Sequence, residues 1–268
     1  MRNFPLQNVY DNPAFFERYM FMRQADSGLN GGLEMPAMKA LLPNVKGMRV
    51  LELGCGSGEL ARYLRTSGAS AVTALDISER MIEKAKMQTS DNSIEYITSS
   101  IEQYVPAFES FDLVVSSLAF HYVKAWKNLV ETVRASLVPG GVFLFSVEHP
   151  ICTANPVGWV KNSDGVCLCW PLDRYQQKGA RRTLWFDEEV IKYHRTIETY
   201  VNTLLDAGFK VVHLGEPTPV LSKLDIQPSL MEHFRRPPVL LISAVRVPVR
   251  KYEIFRVKVF RFIKRMIT

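Results

Sequence analysis

A chain of 268 residues, 47% hydrophobic and 22% charged, has ordinary globular composition; this excludes a disordered or fibrous protein and points to one core with appendages. Lys and Arg number 33 against 27 Asp and Glu, a net charge of +6. From Arg246 onward eight basic residues face one acidic residue, Glu253, so this tail holds +7 and residues 1–245 sit at −1. The near-neutral body offers no basic groove for nucleic acid. The start, Met1-Arg2-Asn3-Phe4-Pro5, lacks the apolar stretch of a signal peptide, and no later run approaches the ~20 apolar residues of a membrane span. Four cysteines in a chain this long make no disulfide framework, and Cys152 with Cys167-x-Cys169 lacks the second pair of a zinc site. The expectation is a cytoplasmic protein without a metal.

In chain order, Asn12-Pro13 reads as cap and first residue of an aromatic-rich helix carrying Phe15, Phe16, Tyr19, Met22 and Arg23. From Gly47 to Val147 strand and helix alternate. Strands are expected at Arg49–Leu53, Ala71–Leu75, Ile94–Thr98, Asp112–Ser116 and Gly141–Val147. Between them lie helical patterns: Leu60/Ala61/Leu64 closed by Gly68, Met81/Ile82/Ala85 opened by Ser78, and Leu129/Val130/Val133/Leu137 stopping before Pro139-Gly140-Gly141. Such alternation makes an α/β fold, a doubly wound and mostly parallel sheet with helices on both faces. The segment from Val147 to Thr196, with Trp159, Trp170, Tyr175, Trp185 and Phe186, breaks the rhythm. Connections in such folds usually run about 2–6 residues, so this reads as an aromatic-rich insertion or lid after the fifth strand. A helix over Thr196–Ala207, ended by Gly208, and strands at Phe209–Leu214 and Val239–Val245 complete the reading.

The run Val50-Leu51-Glu52-Leu53-Gly54-Cys55-Gly56-Ser57-Gly58 is a strand entering a glycine turn that opens a helix, the ligand site of a doubly wound sheet. Its G-x-G-x-G spacing is not the G-x-G-x-x-G of dinucleotide binders, and no Lys-Ser/Thr follows as in a phosphate loop. Asp76, 22 residues past Gly54, ends the second strand, where a carboxylate can accept both ribose hydroxyls of an adenosine moiety. The pair favours an adenosine-containing ligand without a pyrophosphate.

With Asp76-Ile77-Ser78, Phe111-Asp112-Leu113-Val114-Val115-Ser116-Ser117-Leu118-Ala119-Phe120-His121 and Leu137-Val138-Pro139-Gly140-Gly141, this loop resembles the ordered motifs of class I S-adenosylmethionine-dependent methyltransferases, nearest the small-molecule, type 11 branch. The resemblance implies a Rossmann-like sheet and S-adenosyl-L-methionine as cofactor. It further implies that Glu52, Gly54, Cys55 and Gly56 cradle the methionine half, with Ser117 beside it. Asp76 would take the ribose, with Ile77 and Met81 flanking adenine. Ser100, before Ile101-Glu102, stands where many relatives carry an Asp near the adenine amino group. Tyr19 and Arg23, one turn apart, would close over the cofactor, Arg23 pairing its carboxylate; the alternative is a solvated surface arginine. The parts become an N-terminal helical lid (1–45), a cofactor-binding core (46–147), a substrate-covering insertion (148–195), the remaining core (196–245) and a basic amphipathic tail (246–268).

Methyl transfer from a sulfonium is an in-line displacement in which positioning alone can supply roughly 7–11 kcal/mol. A general base adds about 10²–10⁴-fold where the acceptor must lose a proton. His121 and His149, after the fourth and fifth strands, and His194, at the insertion's end, are the candidates; each can equally be a structural hydrogen-bonding residue. The aromatic insertion suits a small flat or hydrophobic acceptor, or fills a subsidiary core. A nucleic-acid methyltransferase and a non-catalytic cofactor-binding module are the alternatives. The tail would rest on an anionic membrane surface or pack on its own domain.

Overall fold

A computed structural model describes residues 7–24, 29–155 and 157–248 of the chain. The amphipathic reading of the tail beyond Pro248 lies outside the described residues. Helix α1 (Pro13–Gln24) starts where Asn12 Oδ1 accepts the Ala14 and Phe15 amides at 3.0 and 3.3 Å. After α2 (Met35–Leu41) the alternation runs β1 (Arg49–Leu53), α3 (Glu59–Thr66), β2 (Ala71–Asp76), α4 (Glu79–Met87), β3 (Ile94–Thr98), β4 (Phe111–Ser116), α5 (Trp126–Ser136) and β5 (Leu137–Glu148). Ser78 caps α4, its Oγ accepting the Met81 amide at 3.1 Å.

Helix α6 (Pro150–Ala154) opens the insertion, which continues as two antiparallel pairs: β6 (Val160–Lys161) with β7 (Cys167–Cys169), and β8 (Gly179–Trp185) with β9 (Glu188–His194). Then come α7 (Ile197–Asp206), β10 (Phe209–Gly215) and β11 (Val239–Arg246). The main sheet has seven strands in the order β10-β11-β5-β4-β1-β2-β3. Strands β1 to β5 pair in parallel, while β11 runs antiparallel to both β5 and β10. Successive strand residues alternate between two cores. Leu51, Val114 and Phe143 pack with Val130, Val133 and Leu204 on one face, and Val50, Val115 and Leu144 with Leu64, Ile82 and Met38 on the other. Full burial of each is worth about 1.5–3 kcal/mol, which makes this two-sided sandwich the rigid frame.

Two details depart from the sequence reading. The strand expected from Gly141 begins at Leu137. Phe111 pairs with Leu137 and Leu113 with Val142, so Pro139-Gly140-Gly141 bulges out within β5 instead of preceding it. The insertion, to which the sequence assigns no elements, contains two hairpins. The β8–β9 turn, Phe186-Asp187, has φ of 51° and 66° without a glycine, the geometry that hairpins usually assign to Asn-Gly. Phe186 stacks on Trp185 at 5.3 Å and meets Phe15 at 5.5 Å, contacts that offset the strain of its backbone.

The lid and the insertion meet each other. Phe15 and Tyr19 of α1 pack edge-on against Trp185 at 5.3 and 5.9 Å, and Asn12 Nδ2 donates to Glu188 Oε1 at 2.8 Å. Asp11 anchors the lid at its other end, accepting from Ser78 Oγ at 2.6 Å.

Candidate active site

Strand order reverses between β1 and β4, and a ligand crevice forms outside the carboxyl ends of the strands there. The glycine loop fills that position. Gly54 and Cys55 both donate their amides to Leu75 O, at 2.8 and 2.9 Å, which folds the loop over β2. Gly58 has φ of 78°, and a Cβ there would sit 2.3 Å from the Tyr96 hydroxyl, so glycine is required twice over. Gly56 has φ of 52° with nothing within 4 Å of a would-be Cβ: its face is open. Asp76 Oδ2 accepts the Gly56 amide and Oδ1 the Ser78 amide, both at 2.9 Å, and burial raises its carboxyl above the usual range despite those bonds.

Glu52 is 2% exposed, and its Oε2 has no hydrogen-bond partner. Burial, and next the neighbouring Asp76, push it up to about 8. A cavity of about 630 Å³ runs from this loop under the lid to the insertion. Tyr19, Arg23, Glu52, Gly54, Cys55, Gly56, Asp76, Ile77, Met81, Ser100, Ile101, Glu102 and Ser117 all line it. Arg23 pairs with Glu59 at 2.5 Å at the cavity rim. Ser100 Oγ is engaged with Gln103, and Glu102 Oε1 accepts the Lys124 and Ala125 amides at 3.0 and 3.1 Å, holding the start of α5.

The three histidines separate. His121 reaches the cavity wall; burial first, then the charges of Lys192 and Arg195, lower its pKa well below the usual value. Its Nδ1 accepts the Glu148 amide at 3.2 Å, which leaves the proton of the neutral ring on Nε2. His149 and His194 do not line the cavity. His149 Nδ1 caps α6 by accepting the Ile151 amide at 3.1 Å, and Nε2 meets Glu216 Oε1 at 2.9 Å. His194 bonds Thr153 Oγ1 at 2.7 Å and Tyr175 O at 2.8 Å. Both rings are committed on both nitrogens.

Sequence reasoning missed Glu34, a buried carboxylate on the π-helical turn before α2. Its Oε1 accepts from Ser117 Oγ at 2.9 Å and Ser146 Oγ at 2.5 Å, fixing the end of β4 against β5. Burial raises its pKa. No periodic pattern around Gly31-Gly32 signals it. Tyr10, Tyr122, Trp170 and Trp185 give the same cavity aromatic walls. Among the described residues no group of three or more His, Cys, Asp or Glu is placed to hold a metal ion, and no helix is long and apolar enough to cross a membrane.

Residues 51–145 match the family model described as a methyltransferase domain. An S-adenosylmethionine-dependent methyltransferase of solved structure from Mesorhizobium loti is 40% identical, covering 83% of this chain and 100% of that one, with a TM-score of 0.75. This chain belongs to the S-adenosylmethionine-dependent methyltransferases. An uncharacterized protein from Haemophilus influenzae is 35% identical over 90% of this chain and 97% of its own length. The malonyl-[acyl-carrier protein] O-methyltransferase of Enterobacter lignolyticus is 38% identical, but over only 41% of this chain and 43% of its own length.

Proposed function

We propose that this methyltransferase acts on a small acceptor held in the aromatic half of its cavity. The observation that carries the reading is one continuous cavity joining the glycine loop to the walls of Tyr10, Tyr122 and Trp185 beneath a lid formed by α1 and the β8–β9 hairpin. The residues fit the family's cofactor. The unpartnered buried Glu52 Oε2 suits an ammonium, the open face of Gly56 admits a ligand against the backbone, and Asp76 keeps lone pairs beyond its two amide bonds. When bound, S-adenosylmethionine supplies a methyl on a cationic sulfur, which departs as a neutral thioether when an acceptor lone pair takes the methyl in line.

Glu52 and Asp76 would hold the cofactor's amino group and ribose, Ser117 would border its methionine chain, and Met81 and Ile77 would flank its adenine. Tyr10, Tyr19 and Trp185 exclude water and orient a flat acceptor. His121 presents Nε2–H, so its role is hydrogen-bond donation to the acceptor and not proton abstraction. Expected results are cofactor binding by calorimetry that weakens about 10²-fold in Asp76→Ala, the order of a lost two-bond carboxylate contact. Transfer of a tritiated methyl to members of a panel of small acids, phenols and amines completes the test. Transfer to tRNA or DNA alone would defeat the small-acceptor reading, and cofactor binding with no transfer at all would defeat the enzymatic one.

A further inference from the structure

The far end of the cavity carries a cation that the methyl-transfer reading does not use. Arg236 precedes β11, whose first residue, Val239, pairs with Glu148 at the end of β5. Because β11 is antiparallel, its start lies at the ligand edge of the sheet, three strands from β1 and about 14 Å away at the ~4.8 Å strand spacing. Arg236 lines the cavity there. Its guanidinium stands 3.9 Å over the ring of Trp170, and Nη1 donates to Cys152 Sγ at 3.0 Å. Nε is buried with no partner, and Arg236 forms no ion pair among the described residues.

Among the described residues no carboxylate lies within ion-pair distance of Arg236: Glu216 is bonded to His149 and Glu232 to Cys167. Burial pushes the Cys152 thiol up to about 12, so it is no counter-ion. Glu148, the carboxylate on this side of the cavity, is taken by Lys192 at 2.5 Å. The arginine is also held in place. Trp170 Nε1 donates to Ile151 O at 3.2 Å, and Trp159 braces Trp170 edge-on at 5.4 Å. Neighbouring Arg235 ties the segment to the β6–β7 hairpin through Cys167 O and Leu168 O, each at 2.7 Å. A rigid guanidinium, stacked on an aromatic face and left without a carboxylate at a cavity wall, is the arrangement that recognises a planar anion.

We infer that Arg236, stacked on Trp170, is the specificity-determining anchor for a carboxylate on the acceptor, so that the substrate class is a small organic acid with a flat or apolar body. That the bound acid is the methyl acceptor rests on the proposed function; that the subsite binds acids does not. The charges are separated accordingly: Glu52, Asp76 and Glu59 lie about the glycine loop at β1 and β2, and Arg236 lies just before β11, three strands from β1.

The test uses the full-length protein and matched probes, benzoate against benzamide and monomethyl malonate against dimethyl malonate, read by quenching of tryptophan fluorescence. The wild type is expected to bind each acid about tenfold or more tightly than its neutral partner, the order of one charge-assisted contact. Arg236→Met should abolish that preference while S-adenosylmethionine affinity by calorimetry stays within about twofold. Arg236→Lys, which keeps the charge without the planar fork, should restore part of it. Equal binding of acid and neutral probe, no saturable response to either acid, or an acid preference that survives in Arg236→Met overturns the assignment. If cofactor binding and methyl transfer persist in the wild type while the acid preference is missing, only the subsite fails; if cofactor binding fails as well, the proposed function fails with it.

Discussion

Replacing Glu52 with Gln separates what this carboxyl does for binding from what it does to stability. The side chain is 2% exposed with an unpartnered Oε2, and burial followed by the charge of Asp76 raises it from 4.5 to about 8. The folded protein therefore keeps this proton up to about pH 8, whereas the unfolded chain releases it near 4.5. Stability from the neutral carboxyl is fully present below the unfolded value and is lost as pH rises through the folded one. At about 1.4 kcal/mol per unit the loss approaches roughly 5 kcal/mol above pH 8, since the group is too buried for solvent screening to remove much of it. Gln has the same shape and never ionises. In urea unfolding of the cofactor-free protein, Glu52→Gln should track the wild type near about pH 4 and become more stable by several kcal/mol near about pH 9. The same variant should bind S-adenosylmethionine at least about tenfold more weakly, because the Glu52 carboxyl can give up its proton to face an ammonium and an amide cannot. A stability difference that does not change with pH would refute the burial argument.

Two further perturbations follow from the geometry. Gly58→Ala forces a Cβ to 2.3 Å from the Tyr96 hydroxyl at φ of 78°, so its unfolding free energy should drop by about 1–3 kcal/mol, whereas Gly56→Ala meets open space and should lose less stability but more cofactor affinity. Calorimetry beside thermal melts distinguishes the two. Buried Arg195 donates to the carbonyls of Phe120, Val123, Lys124 and Tyr193 and so holds the loop bearing His121 and Tyr122. Arg195→Met should cost about 2–4 kcal/mol in urea unfolding by leaving several of those carbonyls unpaired.

The glycine loop and the strand-end acid were legible because each answers to a local rule. A turn with positive φ at Gly54, Gly56 and Gly58 calls for glycine, and Asp76 at the end of β2 is reached by counting from it. The acceptor half obeys no such rule. Tyr10, Trp185 and Arg236 come from the N-terminal segment, the insertion and the segment before β11, and line one cavity because α1 docks on the hairpin and β11 runs antiparallel. In the sequence Arg235-Arg236-Pro237-Pro238 is only a basic pair ahead of a strand, and what it does depends on strand direction. The histidines show the opposite case. A strand-end position brought His149 to notice, yet a cap on α6 and a bond to Glu216 occupy both of its nitrogens.

The same commitments bear on how such a cavity would promote methyl transfer. His149 and His194 are tied away from the cavity, His121 presents a proton instead of a lone pair, and Glu148 is held by Lys192. A general base is worth about 10²–10⁴-fold, or roughly 3–5 kcal/mol, and only for an acceptor that must lose a proton. Orienting two bound reactants is worth roughly 7–11 kcal/mol for any acceptor. On the proposed reading the larger contribution is the one this fold is built to make. The sheet fixes Glu52 and Asp76, the lid and hairpin close aromatic walls around the other reactant, and Arg236 holds its far end. On that reading Arg236 fixes an ionised carboxylate away from the sulfonium end, so this charge is a handle and the reacting lone pair belongs to another atom of the acceptor, which positioning serves whether or not a proton must leave.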